Sequence, residues 1–229
     1  MCNLYSLLNT IDEMQEAFGI EAANTRLGNA EPLPAIFPRY FAPIVRKQES
    51  GIRELLTAHW GFLMPQVSKK TDKPIMPKAV NNARNDKILV SPFWRSSFTQ
   101  RRCLVPASSF CEAKGLNPAT YYWFGIKGES ERILFAFAGM WRRFRGLYRG
   151  ELVEIDTYTT ITTTPNELVR QIHPTRMPVI LSGGDYEQWL SGSEEDAKSL
   201  LQPYDADKML IVQSGEGLKS DHPFSKNPG

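Results

Sequence analysis

Apolar residues follow two different periods along the chain. Near the amino terminus Ile11, Met14, Ala17 and Phe18 share one face at helical spacing. Thr10 with Glu13 three residues on is a capping-box start, and Gly19 is a stop, so a short helix is predicted between them. From residue 42 the runs become β-branched and aromatic. Ala42 to Arg46, Ile52 to Trp60, Cys103 to Pro106, Tyr121 to Ile126, Ile133 to Met140 and Val153 to Thr163 all read as strands. Tyr121 to Ile126 and Ile133 to Met140, joined by a polar loop containing Lys127, Gly128 and Glu129, are expected to pair as a hairpin. Residues 28–43 carry Pro32, Pro34, Pro38 and Pro43 and are expected to form an extended surface connection. Helices return late. Thr164 and Pro165 open a turn or two through Gln171, Asp185 to Leu190 forms another, and Ser193 caps Glu194 to Leu201. A last strand, Met209 to Gln213, precedes a polar tail from about Gly215. The expected architecture is one α+β domain over residues 1–229, an antiparallel β-sheet curled toward a barrel with short peripheral helices.

Composition narrows the function classes. With 41% hydrophobic and 23% charged residues the chain is an ordinary soluble globular protein, not a disordered one. Lys and Arg number 27 against 25 Asp and Glu, so the net charge of +2 gives no general attraction to nucleic acid and any basic surface is local. Candidate clusters are Arg95, Arg101 and Arg102, and Arg142, Arg143, Arg145 and Arg149. Cys2, Cys103 and Cys111 are odd in number and lack C-x-x-C spacing, which excludes a disulfide framework and a structural zinc site. No metal or other cofactor is expected, and the compartment is expected to be reducing. The sequence shows no secretory signal and no apolar run of about eighteen residues, so no membrane partner is expected. The expected location is the cytoplasm, nucleoid-associated in a bacterium, and the expected state is a monomer.

Cys2 carries the most distinctive chemistry. Removal of Met1 leaves a thiol and a free α-amine on adjacent carbons, with reference pKa values of about 8.5 and about 7.7–8.0. The amine condenses with an aldehyde to an imine, and the thiolate closes on the imine carbon to give a five-membered thiazolidine. Three internal stretches offer supporting groups. Asn82 and Arg84, two apart, share a face if extended; the amide suits a developing oxygen anion and the guanidinium fork suits a phosphate. Glu112 follows an apolar strand and is flanked by Phe110 and Ala113, apolar surroundings that should raise a carboxyl pKa toward that of a proton donor. His173, on a proline-bounded turn that includes Arg176 and leads into Met177 to Leu181, is the default acid-base group near neutral pH.

Met1-Cys2, Asn82-Ala83-Arg84, the stretch from Arg102 to Glu112 and the stretch from His173 to Leu181 together resemble the SRAP family, the SOS-response-associated peptidases. Trp60-Gly61 with Pro65, Phe137 to Trp141 and Thr162 to Thr164 extend the resemblance over nearly the whole chain, in the family's order. The resemblance implies a curved antiparallel sheet and a groove for single-stranded DNA containing an abasic site. It also implies roles: Cys2 forms the thiazolidine, Asn82 positions the sugar, Arg84 holds a phosphate, and Glu112 and His173 move protons. Arg176 and Trp60 are expected to touch DNA, Trp60 as a stacking platform together with Phe62 and Trp94. The family has also been assigned self-cleavage of its initiator methionine. This chain departs from the common pattern at Leu4, where many members carry arginine, at Ala113, where tryptophan is frequent, and at Asp86, where a longer acid is usual. It also carries one extra residue between His173 and Met177.

The leading expectation is therefore a DNA-protein crosslinker, with lyase-like and autopeptidase chemistry, that shields abasic sites. Two other classes stay open. One is a peptidase with Cys2, His173 and Glu112 as nucleophile, base and orienting acid. The other is a non-covalent single-strand binding module, for which a net charge of +2 is a small footprint.

Overall fold

The strands, in chain order, are β1 (Tyr5–Leu7), β2 (Leu33–Ile36), β3 (Phe41–Lys47), β4 (Arg53–Trp60), β5 (Phe62–Val67), β6 (Pro74–Val80), β7 (Asn82–Arg84), β8 (Arg102–Ala107), β9 (Ser109–Lys114), β10 (Thr120–Ile126), β11 (Phe135–Tyr148), β12 (Glu151–Thr163), β13 (Met177–Pro178), β14 (Ile180–Leu181) and β15 (Met209–Glu216). The helices are α1 (Ile11–Phe18), α2 (Pro92–Gln100), α3 (Glu167–Arg170), α4 (Tyr186–Ser191) and α5 (Glu194–Ser199). These come from a computed structural model that describes residues 2–28, 30–129 and 132–222. Met1, on which the expected processing turns, and the last part of the expected tail, 223–229, lie outside the described residues.

Strands β12, β4, β3, β8 and β11 pair in that order, and β11 pairs back onto β12, so five strands close into a barrel. Closure removes the edges that an open sheet would expose. It depends on one parallel contact, in which Thr157 lies opposite His59 and Tyr158 opposite Trp60, while the other four pairings are antiparallel. A second sheet runs β15-β10-β9-β1-β2, and β5 pairs with β6 as a separate ribbon. The main core includes Tyr5, Trp60, Phe110, Phe137 and Tyr158, all fully buried, and it spans the barrel and the second sheet.

The long hairpin differs from the expected one. Strand β10 lies between β9 and β15, whereas β11 pairs with β8, β12 and β14. Strand β11 runs on to Tyr148 and returns through Arg149 and Gly150, whose φ values of 53° and 91° make the two-residue turn that matches strand twist. The proline-rich stretch also contains regular structure. Strand β2 pairs with β1, and Pro34 is tolerated there because β2 is the edge strand of its sheet.

Helix α1 starts and stops as expected, with the Thr10 capping box and Gly19 at φ 61°. Helix α5 likewise begins at Ser193, with Asp196 completing its capping box. The cap of α3 is Asn166, whose side chain accepts from the Val169 N–H, so that helix starts later than Thr164 and Pro165 suggest. Helix α2, opened by Pro92 after Ser91, was not anticipated. Nor is the chain after Gly215 a free polar tail as far as residue 222: Asp221 is fully buried. No helix among the described residues is long and apolar enough to cross a membrane.

Candidate active site

Three of the sequence-derived groups meet where the amino-terminal segment crosses β9 and β7. The Cys111 N–H donates to the Leu4 carbonyl at 2.9 Å, which lays residues 2–4 along β9. Strand β7 runs parallel to β12 with Asn82 opposite Thr160. The Asn82 side chain, nearly buried, donates from Nδ2 to the Cys2 carbonyl at 2.8 Å, while its Oδ1 accepts from the Thr160 hydroxyl at 3.0 Å. That pair of bonds fixes which end of the amide faces Cys2. The neighbouring Asn81 donates to the Asn3 side chain at 2.9 Å, a second clasp on the same segment.

Cys2 is only 2% exposed, and its thiol donates to the Leu4 carbonyl at 3.5 Å. Burial pushes the thiol pKa well above its ordinary range, and the charge of Glu112 pushes the same way. The sulfur is therefore held as a neutral thiol at physiological pH. Glu112, on β9 opposite Tyr122, is 5% exposed. Burial pushes its carboxyl up to about 7, against the opposing pull of the positive amino terminus. A carboxyl that changes protonation near neutrality both gives and takes protons.

His173 is half-buried just beyond α3, where Nδ1 lies 2.9 Å from the Arg176 carbonyl. The Arg176 N–H also approaches Nδ1, at 3.3 Å, so both backbone groups of Arg176 hold that side of the ring. Burial lowers the His173 pKa, and the positive amino terminus lowers it further, so the imidazole is neutral at physiological pH. Lys114, two residues beyond Glu112, donates to the Gln171 carbonyl at 2.9 Å and so ties the end of β9 to the segment carrying His173.

Arg84 projects into solvent with a two-pronged ion pair to Asp86, at 3.0 Å and 2.8 Å. The pairing raises the pKa of the guanidinium and lowers that of the carboxyl. A planar fork already holding two oxygens of an exposed carboxylate matches a phosphate equally well.

One expected DNA contact is corrected by its surroundings, and Arg176 has protein partners of its own. Trp60 is fully buried, stacked on Tyr158 and edge-on to Tyr5, with its indole N–H donating to the Asn81 carbonyl at 3.0 Å. It cannot stack on a base; it props the strand that carries Asn82. Phe62 and Trp94 are buried as well. Arg176 spends its guanidinium on the protein, donating to Asn85 Oδ1 at 2.8 Å and to the Thr162 carbonyl, with Asp86 at 3.8 Å. It fastens the loop after β7 to β12.

The basic clusters are partly spent on the protein, although Arg95 and Arg149 stay exposed. Arg102 donates to the carbonyls of Trp189, Phe98 and Gly192; Arg142 lies between the rings of Phe62 and Phe93; Arg143 and Arg145 pair with Glu154, and Arg143 also with Asp156. Sequence reasoning missed Asn3, Asn81, Tyr121 and Lys219, which with Glu112 and Ala113 line a cleft of about 570 Å³. Only the polar pair Asn81-Asn82 gave a signal for any of them. Among the described residues, no group of three or more His, Cys, Asp or Glu side chains is placed to hold a metal ion.

Known proteins resemble this chain over most of its length. The family model described as SOS response associated peptidase (SRAP) matches residues 1–216. The abasic site processing protein YoqW of Bacillus subtilis (strain 168) is 35% identical over 216 residues, covering 93% of this chain and 92% of that protein. YobE of the same organism, also named an abasic site processing protein, is 36% identical over 216 residues, covering 93% and 94%. A crystal structure of a protein from Bordetella bronchiseptica matches with a TM-score of 0.70 at 26% identity, over 94% of this chain and 99% of that one. One from Bacteroides thetaiotaomicron, at 24% identity and a TM-score of 0.69, covering 94% and 91%, shares the fold.

Proposed function

The chain belongs to the SOS response associated peptidase family, and on that premise we propose that it processes abasic sites in single-stranded DNA by bonding to them covalently through Cys2. The observation that carries this reading is Glu112, a buried carboxyl with a pKa of about 7 close enough to Cys2 to perturb its thiol. Removal of Met1 exposes the α-amine of Cys2, on the segment that Asn82 holds by its carbonyl.

The abasic deoxyribose is a closed hemiacetal in equilibrium with its aldehyde. Protonated Glu112 opens the ring by delivering a proton to the ring oxygen and takes one back from the anomeric hydroxyl, which leaves the aldehyde and a carboxyl protonated again. The amine adds to the aldehyde carbon to give a carbinolamine, and Glu112 protonates the departing hydroxyl so that water leaves and an imine forms. The Cys2 sulfur then bonds to the imine carbon, and its proton ends on the nitrogen. The net reaction joins one aldehyde and one cysteine and releases one water. His173, neutral at physiological pH, takes the proton from the ammonium so that the free amine can attack. A neutral thiol suits the final step, because the addition needs the proton as well as the sulfur. Arg84 exchanges Asp86 for a backbone phosphate during binding.

A thiol peptidase working in trans is less well supported. Its nucleophile needs a lowered pKa, which a protonated histidine or a helix terminus supplies, whereas here burial and Glu112 raise it. Binding without a covalent bond would leave the placement of Glu112 and Asn82 about Cys2 without a purpose. The experiment is to incubate purified protein with a single strand carrying one abasic site and separate the products under denaturing conditions. Wild type gives a shifted band, while Cys2→Ala and a variant with one residue inserted before Cys2 give none. A shifted band of equal intensity from Cys2→Ala refutes the proposal.

A further inference from the structure

The cleft beside Glu112 is closed on one side by a segment beyond the catalytic elements. After β15 the chain turns at Gly217 and runs back along the second sheet as a strap, Gly217 to Asp221, held at several points. The Trp123 indole donates to the Leu218 carbonyl at 3.0 Å, and the Leu218 side chain packs with Leu4, Cys111 and Trp123. Gln213 donates to the Ser220 carbonyl at 2.9 Å. Asp221 is fully buried: it accepts from Ser6 at 3.0 Å, from Ser109 at 2.5 Å and from Arg132 at 2.7 Å and 3.1 Å, and its own N–H donates to the Pro34 carbonyl at 2.8 Å. These partners tie the strap to β1, β2 and β9, the strands around the site.

Lys219 sits between these anchors and behaves differently. It is exposed, it lines the cleft with Glu112, Asn3 and Asn81, and its ammonium lies 5.7 Å from the centre of the Tyr121 ring. Among the described residues no ion pair is formed by this ammonium. A lysine ammonium over an aromatic face, on a backbone pinned on both sides, is a cation set in place for an anion entering the cleft. The position fits charge that the chain otherwise lacks there, since Leu4 and Ala113 supply none.

We propose that Lys219 is a phosphate-binding residue of the site, holding a backbone phosphate of the strand next to the reacting sugar, and that the buried Asp221 anchor holds Lys219 in place. The inference rests on the reading that the cleft takes single-stranded DNA, and its test is independent of whether a crosslink forms. Binding is measured by fluorescence anisotropy in a Cys2→Ala background, with a labelled single strand containing one abasic site, over a series of salt concentrations. Lys219→Met raises Kd roughly two- to fivefold, the range for one exposed ion pair. It also lowers the slope of log K against log salt by about 0.7, the share of one released counterion, while Lys219→Arg keeps both near the parent values. Asp221→Asn weakens binding likewise and adds little on top of Lys219→Met, because both act through one contact. Should Asp221→Asn fail to fold, the Lys219 pair still decides. An unchanged Kd and salt slope in Lys219→Met overturns the inference even if Cys2 crosslinks normally. If Cys2 never crosslinks and Lys219→Met still loses the slope, the covalent reading fails and the phosphate site stands.

Discussion

Replacing Glu112 by glutamine should stabilise the protein, and only above mildly acidic pH. The carboxyl is moved by burial from an ordinary 4.5 to about 7. Between those values the folded state holds a proton that the unfolded state has lost, so stability falls as pH rises through the interval. Below about 4.5 both states are protonated and the penalty is absent; above about 7 both are ionised and it is complete. A rise of about 2.5 pH units, at about 1.36 kcal/mol each, is on the order of 3 kcal/mol. Glutamine has no charge to bury, so at pH 8 the variant should melt roughly 6–12 °C above wild type, at about 2–4 °C per kcal/mol for a chain of this size. The assay is the difference in Tm between the two proteins at half-unit steps from pH 5 to pH 8, in which all other titrating groups cancel. A difference that does not grow with pH would refute the burial reasoning. The same substitution should remove an inflection near pH 7 from the crosslinking rate.

Four further outcomes are expected. Arg46 donates to Glu54 at 2.7 Å and Asp156 at 2.9 Å beneath Trp141, so Arg46→Met removes the shared buried partner of two carboxylates, leaving Glu54 to Arg26 and Asp156 to Arg143, and should cost roughly 1.5–3 kcal/mol in urea unfolding. Trp60→Ala removes a fully buried side chain and should cost about 3–5 kcal/mol of stability; an undiminished urea midpoint alongside lost DNA affinity would restore Trp60 as a stacking platform. Arg84→Ala should weaken single-strand binding about equally for all sequences, lowering the salt slope by about 0.7, and Asp86→Ala should strengthen binding by freeing Arg84 from its partner.

The parts of the fold legible in the sequence are those whose causes are local. The Thr10 and Ser193 caps and the Gly19 stop rest on neighbours three or four residues away, and the structure has them where they were expected. Barrel closure has no such signature, because β12 meets β4 across about a hundred residues of chain. The misplaced hairpin has the same origin: alternation tells which face a residue takes but not which strand lies beside it. Within the site, Cys2, Asn82 and Glu112 were legible as a set and do come together. Trp60 was misread because whether an aromatic faces solvent is settled by tertiary neighbours. Lys219 lies in a segment with no motif at all, and its placement depends on an aspartate whose burial the surrounding polar sequence gives no reason to expect.

The mass of the intact adduct tests the central claim most directly. Protein lacking Met1, reacted with a single strand carrying one abasic site, should show the summed mass less one water. It should also resist hydride reduction and present no free thiol at position 2. An adduct that gains two hydrogens under hydride and keeps a free Cys2 thiol would mean an open imine, and an adduct of equal yield from Cys2→Ala would contradict the account.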